Sequence, residues 1–128
     1  MTYDLSTKVK PSAIELADLF SQTTWAAKRT AESIDKMLNS LDTFVCIRYN
    51  KRLIAFGRAI TDGVYRALID DVIVDKAYQK KGLGKLVMVK LLDQLTEVDQ
   101  LFLNTKPELE DFYKQFGFLE AGSFTMKK

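Results

Sequence analysis

Apolar residues recur along the chain with two different spacings, and the spacing changes at Thr43. Before that point the period is helical. Ser12-Ala13-Ile14-Glu15 sets a hydroxyl three residues ahead of a carboxylate, so that each side chain can bond the other's backbone N–H at a helix start. Ile14, Ala17 and Leu19-Phe20 continue from it as one helical face. A second helix is predicted from Ala27 to Leu41, with Ile34, Leu38 and Leu41 on one side. A short strand over Tyr3 to Val9 precedes both.

After Thr43 the apolar residues come in short runs split by turn residues. Phe44 to Tyr49 and Leu53 to Ile60 are predicted strands, joined through a tight Asn50-Lys51 turn. Thr61-Asp62-Gly63 signals the next turn, and Val64 to Val74 follows as a third, longer strand. These three are expected to form an antiparallel meander. A helical run from Leu83 to Leu95 separates them from the apolar strand Leu101-Phe102-Leu103-Asn104. Strand, crossover helix and strand imply parallel pairing with a right-handed connection. Glu108 to Phe116 is predicted as a last helix, with Pro107 ahead of it and Gly117 as its cap. Phe118 to Met126 is expected to add one or two short strands. The sum is an α+β fold, an α/β sandwich. Its mixed, mostly antiparallel sheet has about six or seven strands, with helices on both faces.

Composition narrows the chemistry. The 128 residues suit one domain with one real core, expected to span residues 1–128. There is no histidine and one cysteine, so Ser-His-Asp and Cys-His sites, Cys/His zinc sites and intrachain disulfides are excluded. Cys46 lies in the apolar run Phe44-Val45-Cys46-Ile47 and reads as a core thiol. Proton transfer is left to Asp, Glu, Tyr, Lys or water. A net charge of +2, with lysines mixed among acids, does not point to nucleic acid. No apolar run is long enough to cross a bilayer, and Met1-Thr2-Tyr3-Asp4 lacks a signal-peptide layout. The expectation is a cytoplasmic protein with no nucleic-acid or membrane partner.

The segment Gln79-Lys80-Lys81-Gly82-Leu83-Gly84-Lys85 stands where the apolar strand run Leu68 to Val74 gives way to a helix. Helix N-termini expose unpaired N–H groups and a partial positive charge, so lysines are unfavourable there. Neither Lys81 nor Gly82 supplies a capping side chain. A bound phosphate would resolve both oddities, because bare glycine backbone lets it approach the N–H groups. The spacing is neither that of a P-loop nor that of the three-glycine dinucleotide fingerprint. The same strand carries adjacent carboxylates, Asp70-Asp71. The last predicted helix carries Phe112, Tyr113 and Phe116, of which Phe112 and Phe116 form an i,i+4 packing pair.

Gln79-x-x-Gly82-x-Gly84 matches the Gln/Arg-x-x-Gly-x-Gly/Ala loop of the GNAT superfamily of N-acetyltransferases. Phe112-Tyr113-Lys114-Gln115-Phe116-Gly117-Phe118 is similar to that family's closing signature. Asp71 to Tyr78 resembles its fourth strand and exit, and the resemblance covers nearly the whole chain. It implies acetyl transfer from acetyl-CoA, used as co-substrate without a metal, to a primary amine of a small molecule or peptide. The backbone of Gln79, Lys80, Lys81, Gly82, Leu83, Gly84 and Lys85 would grip the pyrophosphate. Val72, Ile73 and Val74, where the fourth and fifth strands splay apart, would pair with the pantetheine arm. Asp71, or failing it Asp70, would accept the substrate's proton, and Tyr113 would protonate the departing thiolate. Lys106 stands where many relatives carry Asn, so Asn104 is the candidate for that amide, and Asp75-Lys76-Ala77 replaces a frequent proline-containing exit. Trp25 is either core or a wall of the acceptor site. A homodimer is common among relatives. The alternative is an acyl-CoA-binding sensor or scaffold of the same fold with little catalysis.

Overall fold

The computed structural model describes residues 2–128. Chain order is β1 (Asp4–Ser6), α1 (Ala13–Phe20), α2 (Ala31–Asn39), β2 (Thr43–Tyr49), β3 (Arg52–Thr61), β4 (Arg66–Val74), α3 (Leu83–Asp93), β5 (Gln100–Leu103) and α4 (Glu110–Lys114). The strands form one sheet in the order β1-β2-β3-β4-β5. Every pair is antiparallel except β4–β5, which is parallel across the α3 crossover. The mixed α/β sandwich expected from the pattern is therefore present, with five strands among the described residues in place of six or seven. Residues 118–126 form no strand. Beyond Phe118 they take part in no backbone–backbone hydrogen bond outside regular elements.

Local chemistry explains where the elements begin. Ser12 Oγ accepts from Glu15 N–H and Glu15 Oε2 accepts from Ser12 N–H, closing the predicted capping box. α2 starts four residues later than its periodicity suggested because Thr30 caps it, accepting from Ser33 N–H at 3.1 Å. Asn50 and Lys51 both adopt positive φ, 49° and 67°, as a two-residue hairpin that follows strand twist requires. Asp62 Oδ1 gathers the N–H groups of Val64, Tyr65 and Arg66, which delays β4 to Arg66. Pro107 opens a single 3₁₀ turn, and α4 is correspondingly short.

Two apolar layers hold the sheet. On one face, Leu16, Leu19 and Phe20 of α1 and Ile34 and Leu38 of α2 pack on Phe44, Cys46, Phe56 and Ile73. On the other, Leu83, Val87, Met88 and Leu91 of α3 pack on Val45, Ile47, Ile54, Ala55, Ala59 and Ile69, with Phe112 and Phe116 of α4 at the margin. Cys46 is buried, and loss of hydration pushes its thiol up to about 12, so it remains an inert core group.

α3 approaches the sheet tightly at Gly57. A Cβ there would stand 2.5 Å from Val87 Cγ1 and 3.0 Å from Leu91 Cδ1. Gly57→Ala should therefore lower unfolding free energy by ~1–3 kcal/mol through overpacking. Urea denaturation reads this directly. An unchanged midpoint would mean that α3 can withdraw from the sheet without loss.

Candidate active site at the divergence of β4 and β5

The β3–β4 ladder slips by one residue in the middle of the sheet. Phe56 pairs with Ile73, but Arg58 pairs with Asp70, so β4 carries an extra residue opposite Gly57. Asp71 absorbs the slip with a φ of 54°. In a regular strand, adjacent side chains point to opposite faces. The bulge instead turns both carboxylates toward one guanidinium. Arg58 donates through Nε to Asp71 Oδ2 at 2.7 Å and through Nη2 to Asp70 Oδ2 at 3.4 Å. Asp70 Oδ1 accepts the N–H of Asp71 at 2.9 Å, fastening the bulge from within.

Asp71 is tied to the α1–α2 connection as well. Arg29 Nη1 reaches Asp71 Oδ2 at 2.8 Å, and Trp25 Nε1 donates to Asp71 Oδ1 at 3.3 Å. The Arg29 guanidinium also lies 4.8 Å from the centre of the Phe20 ring. The Asp71 side chain has no exposed surface. Burial alone would raise its pKa, but the hydrogen bonds and charges of Arg29 and Arg58 outweigh burial and hold it below the ordinary carboxylate range. The expected proton acceptor is thus placed as an ionised counter-ion with both oxygens engaged. Asp70 keeps a side chain 37% exposed.

β5 pairs with β4 only as far as Ile69 and Leu103, and β4 runs on through residues 70–74 without that neighbour. A cavity of about 220 Å³ opens there, lined by Gln22, Thr23, Thr24, Trp25, Val72, Ile73, Val74, Lys76, Gln79 and Lys106. Gln79 Nε2 donates to Val74 O at 3.1 Å, so the loop is hooked onto the strand. The expected strand positions and Gln79 are therefore brought together. Trp25 is 55% exposed, a wall of this cavity and not a core residue.

α3 follows the loop that Gln79 of the cavity wall opens. Gly82 occupies the cap position at φ 82° with no side-chain cap, and no acidic residue lies in the first turn. The first intrahelical bond from this end is Leu86 N–H to Gly82 O, which leaves the N–H groups of Leu83, Gly84 and Lys85 without helical partners. Lys80 bends the approach with a φ of 63°. Among the described residues no ion pair engages Lys80, Lys81 or Lys85.

Tyr113 and Asn104 lie in an adjoining groove of about 740 Å³ between β5 and residues 118–125. Tyr113 does not line the smaller cavity; Lys106 lines both. The Tyr113 ring packs edge-on against Phe112 at 4.9 Å and Phe118 at 6.4 Å, and burial raises its pKa. Arg29, Arg58, Gln22 and Lys76 were not singled out from the sequence. Arg58 had a legible signal, a lone cation inside the apolar run Leu53 to Ile60. Arg29 and Gln22 had none, because their roles arise from how α1 and α2 are joined.

The description "Acetyltransferase (GNAT) domain" belongs to the family model that matches residues 8–128. GCN5-related N-acetyltransferase 1, chloroplastic, of Arabidopsis thaliana is 36% identical over 96 residues, covering 72% of this chain and 49% of that protein. An uncharacterized N-acetyltransferase of Pyropia yezoensis is 30% identical over 122 residues, covering 91% and 70%. This chain spans about half the length of the Arabidopsis relative. Among solved structures, a GNAT-family acetyltransferase of Streptococcus pneumoniae superposes with a TM-score of 0.78 at 21% identity, over 99% of this chain and 98% of that one.

Removing the Asp71 carboxylate leaves two guanidinium groups facing each other. Asp71→Ala should cost about 3 kcal/mol of stability at neutral pH, the low end for breaking a buried pair because Arg29 is partly solvated. The folded pKa is depressed, so the stabilisation is complete above the unfolded value of ~3.9 and disappears as pH falls through the folded value. The gap in denaturant unfolding between wild type and Asp71→Asn should therefore begin to narrow below about pH 4 and close only once pH has fallen past the depressed folded value. A gap constant down to pH 2 would show that charge is not the source.

Proposed function

Because the chain belongs to the GNAT acetyltransferase family, we propose that it transfers acetyl from acetyl-CoA to a primary amine of a small molecule or peptide, with both substrates bound together. One observation carries this reading. The unpaired stretch of β4 borders the same cavity as Gln79, the residue that opens the loop leading into the uncapped, lysine-rich start of α3. A ligand with amides at one end and a diphosphate at the other fits that juxtaposition.

The N–H groups of Leu83, Gly84 and Lys85, with the ammonium groups of Lys80, Lys81 and Lys85, hold the diphosphate. Val72, Ile73 and Val74 offer backbone groups to the pantetheine amides as an added strand would, and a free N–H of this stretch stabilises charge on the thioester oxygen. Lys76 and Lys106 add positive potential at the cavity wall. Tyr113 holds its proton throughout the neutral range, since burial raises a phenol that starts near ~10. It gives that proton to the leaving thiolate. Asp71 positions Trp25 and the bulge, and the more exposed Asp70 takes the ammonium proton, directly or through water. Asn104 faces the groove from the end of β5 as a candidate amide. No helix of the described residues is long and apolar enough to cross a membrane. The Arabidopsis relative's name places that protein in the chloroplast, so cytoplasm and plastid are both consistent with the family.

The engagement of both Asp71 oxygens favours a second reading, an acyl-CoA-binding sensor of the same fold. Thiol release over a panel of amines separates the two. Turnover that falls by about 10²- to 10⁴-fold in Tyr113→Phe supports the enzyme. Acetyl-CoA binding without thiol release for any amine supports the sensor.

Calorimetric titration with acetyl-CoA tests the shared premise, and absence of heat at millimolar ligand would end both readings. Gly84→Asp sharpens the test. Its Cβ meets Phe112 Cζ at 3.4 Å, an ordinary contact. A carboxylate in the first turn should stabilise α3 by ~0.3–1 kcal/mol while repelling a diphosphate. Melting temperature should rise and acetyl-CoA affinity should fall at least tenfold. Unchanged affinity would move the diphosphate elsewhere.

A further inference from the structure

We propose that the acceptor is an arylalkylamine, a reading that rests on the acetyl transfer proposed above. Its ammonium faces Asp70, and its ring lies on an uncovered apolar row made by Ile60, Leu68 and Phe102. These three stand directly opposite one another across β3, β4 and β5. Ala59, Ala67 and Ile69 beside them belong to the α3 layer, so strand alternation turns the row to the sheet's other face. On that face α1 and α2 cover Phe44, Cys46, Leu53, Phe56 and Ile73, and the row joins neither apolar layer. Ile60 is 51% and Phe102 41% exposed, with Leu68 half-buried between them.

Polar rows bound this shelf on both sides. Arg58 and Asp70 pair in the row nearer the cavity, and Arg66 and Gln100 pair in the row beyond. The shelf is therefore one residue deep and three strands wide, roughly 7 Å by 10 Å, about the footprint of one or two fused rings. A stable contact between proteins needs ~800 Å² from each partner, many times that footprint. An aliphatic polyamine or an amino sugar would leave the row wet, because neither offers a broad apolar surface to cover it.

Charge sets the other end of the ligand. Arg58 Nε is committed to Asp71 Oδ2 at 2.7 Å, and its reach to Asp70 Oδ2 is long, 3.4 Å. The Asp70 side chain stays 37% exposed, whereas that of Asp71 has no exposed surface. Asp70 is thus the carboxylate left to meet a cation at the border of the apolar row. Asp70 and Leu68 lie two residues apart on one face of β4, about 6.7 Å, so a spacer of about two or three carbons joins an ammonium at the first to a ring over the second. The row is continuous with the proposed site. Asp70 directly precedes the bulge and the unpaired stretch of β4, and Phe102 lines the groove that contains Tyr113.

Equilibrium dialysis of phenethylamine against the full chain, with and without CoA, reads the shelf apart from catalysis. Saturable binding is expected, and the paired variant Ile60→Ser, Phe102→Ser should weaken it about tenfold. In thiol release with acetyl-CoA, kcat/KM for phenethylamine should exceed that for ethanolamine by about tenfold or more. The paired variant should bring that ratio close to one while the heat of acetyl-CoA binding stays as in wild type. If the pair fails to fold, either single serine variant of these exposed residues decides the question. No saturable binding in either condition, binding indifferent to the serine variants, or equal kcat/KM for the two amines would each overturn the proposal. A wild-type dimer that Ile60→Ser converts to monomer would also overturn it, by assigning the row to a second copy. Phenethylamine binding that the variants weaken, in a chain that gives no heat with acetyl-CoA, would keep the shelf and remove the transferase reading. Thiol release confined to amines without a ring would do the reverse.

Discussion

A single inserted residue in β4 forces two neighbouring carboxylates onto one side of the sheet, and one of them is buried without exposed surface. An isolated buried carboxylate would be far too costly to keep ionised. Two guanidinium groups and an indole N–H offset that cost, and they come from two parts of the chain: β3 and the α1–α2 connection. The bulge is therefore more than a local irregularity. It converts a charge that must be satisfied into a clamp between the helical layer and the sheet.

That clamp sets the geometry of everything around the cavity. Parallel pairing of β5 ends at Ile69, immediately before Asp70 and Asp71. The bulge turns β4 so that Val72 and Val74 rejoin the α3 layer while Ile73 enters the α1–α2 layer. Without the slip, the alternation established by Ala67 and Ile69 would send Ile73 to the α3 side as well. Gly57 lies opposite the extra residue and admits Val87 and Leu91 so closely that an added Cβ would crowd both. Divergence of the strands, the position of α3 and the exposed wall formed by Trp25 thus share one origin.

The sequence-level reading was strongest where a motif expresses local physics. The capping box at Ser12, the Asn50-Lys51 turn and the uncapped start of α3 are each decided within a few residues, and all are present. The resemblance to the family rests on two motifs together, Gln79 to Lys85 and Phe112 to Phe118. What stayed hidden depends on contacts distant along the chain. Nothing near Asp71 announces that Arg29 will arrive from another element, or that both carboxylates will face Arg58. A period-two reading puts Asp70 and Asp71 on opposite faces, and only the slip overturns it. The strand pattern in residues 118–126 was legible, but a pattern states a propensity and not a partner.

The two sides of the site differ in how firmly they are held. On the β4–α3 side, Val87, Met88 and Leu91 have no exposed surface, and Ile69 and Leu83 have almost none. On the β5–α4 side, no residue of β5, α4 or residues 118–128 is fully buried. Groups that must meet an invariant ligand fragment belong on the rigid side, where packing fixes them to within a small tolerance. The backbone of Val72 to Val74 and the start of α3 are there. The half-buried β5–α4 side buries less apolar surface, the condition under which local opening costs less. Under the proposed function, a division of this kind suits one constant co-substrate and a variable acceptor, because the variable half can change without loosening the clamp at Asp71.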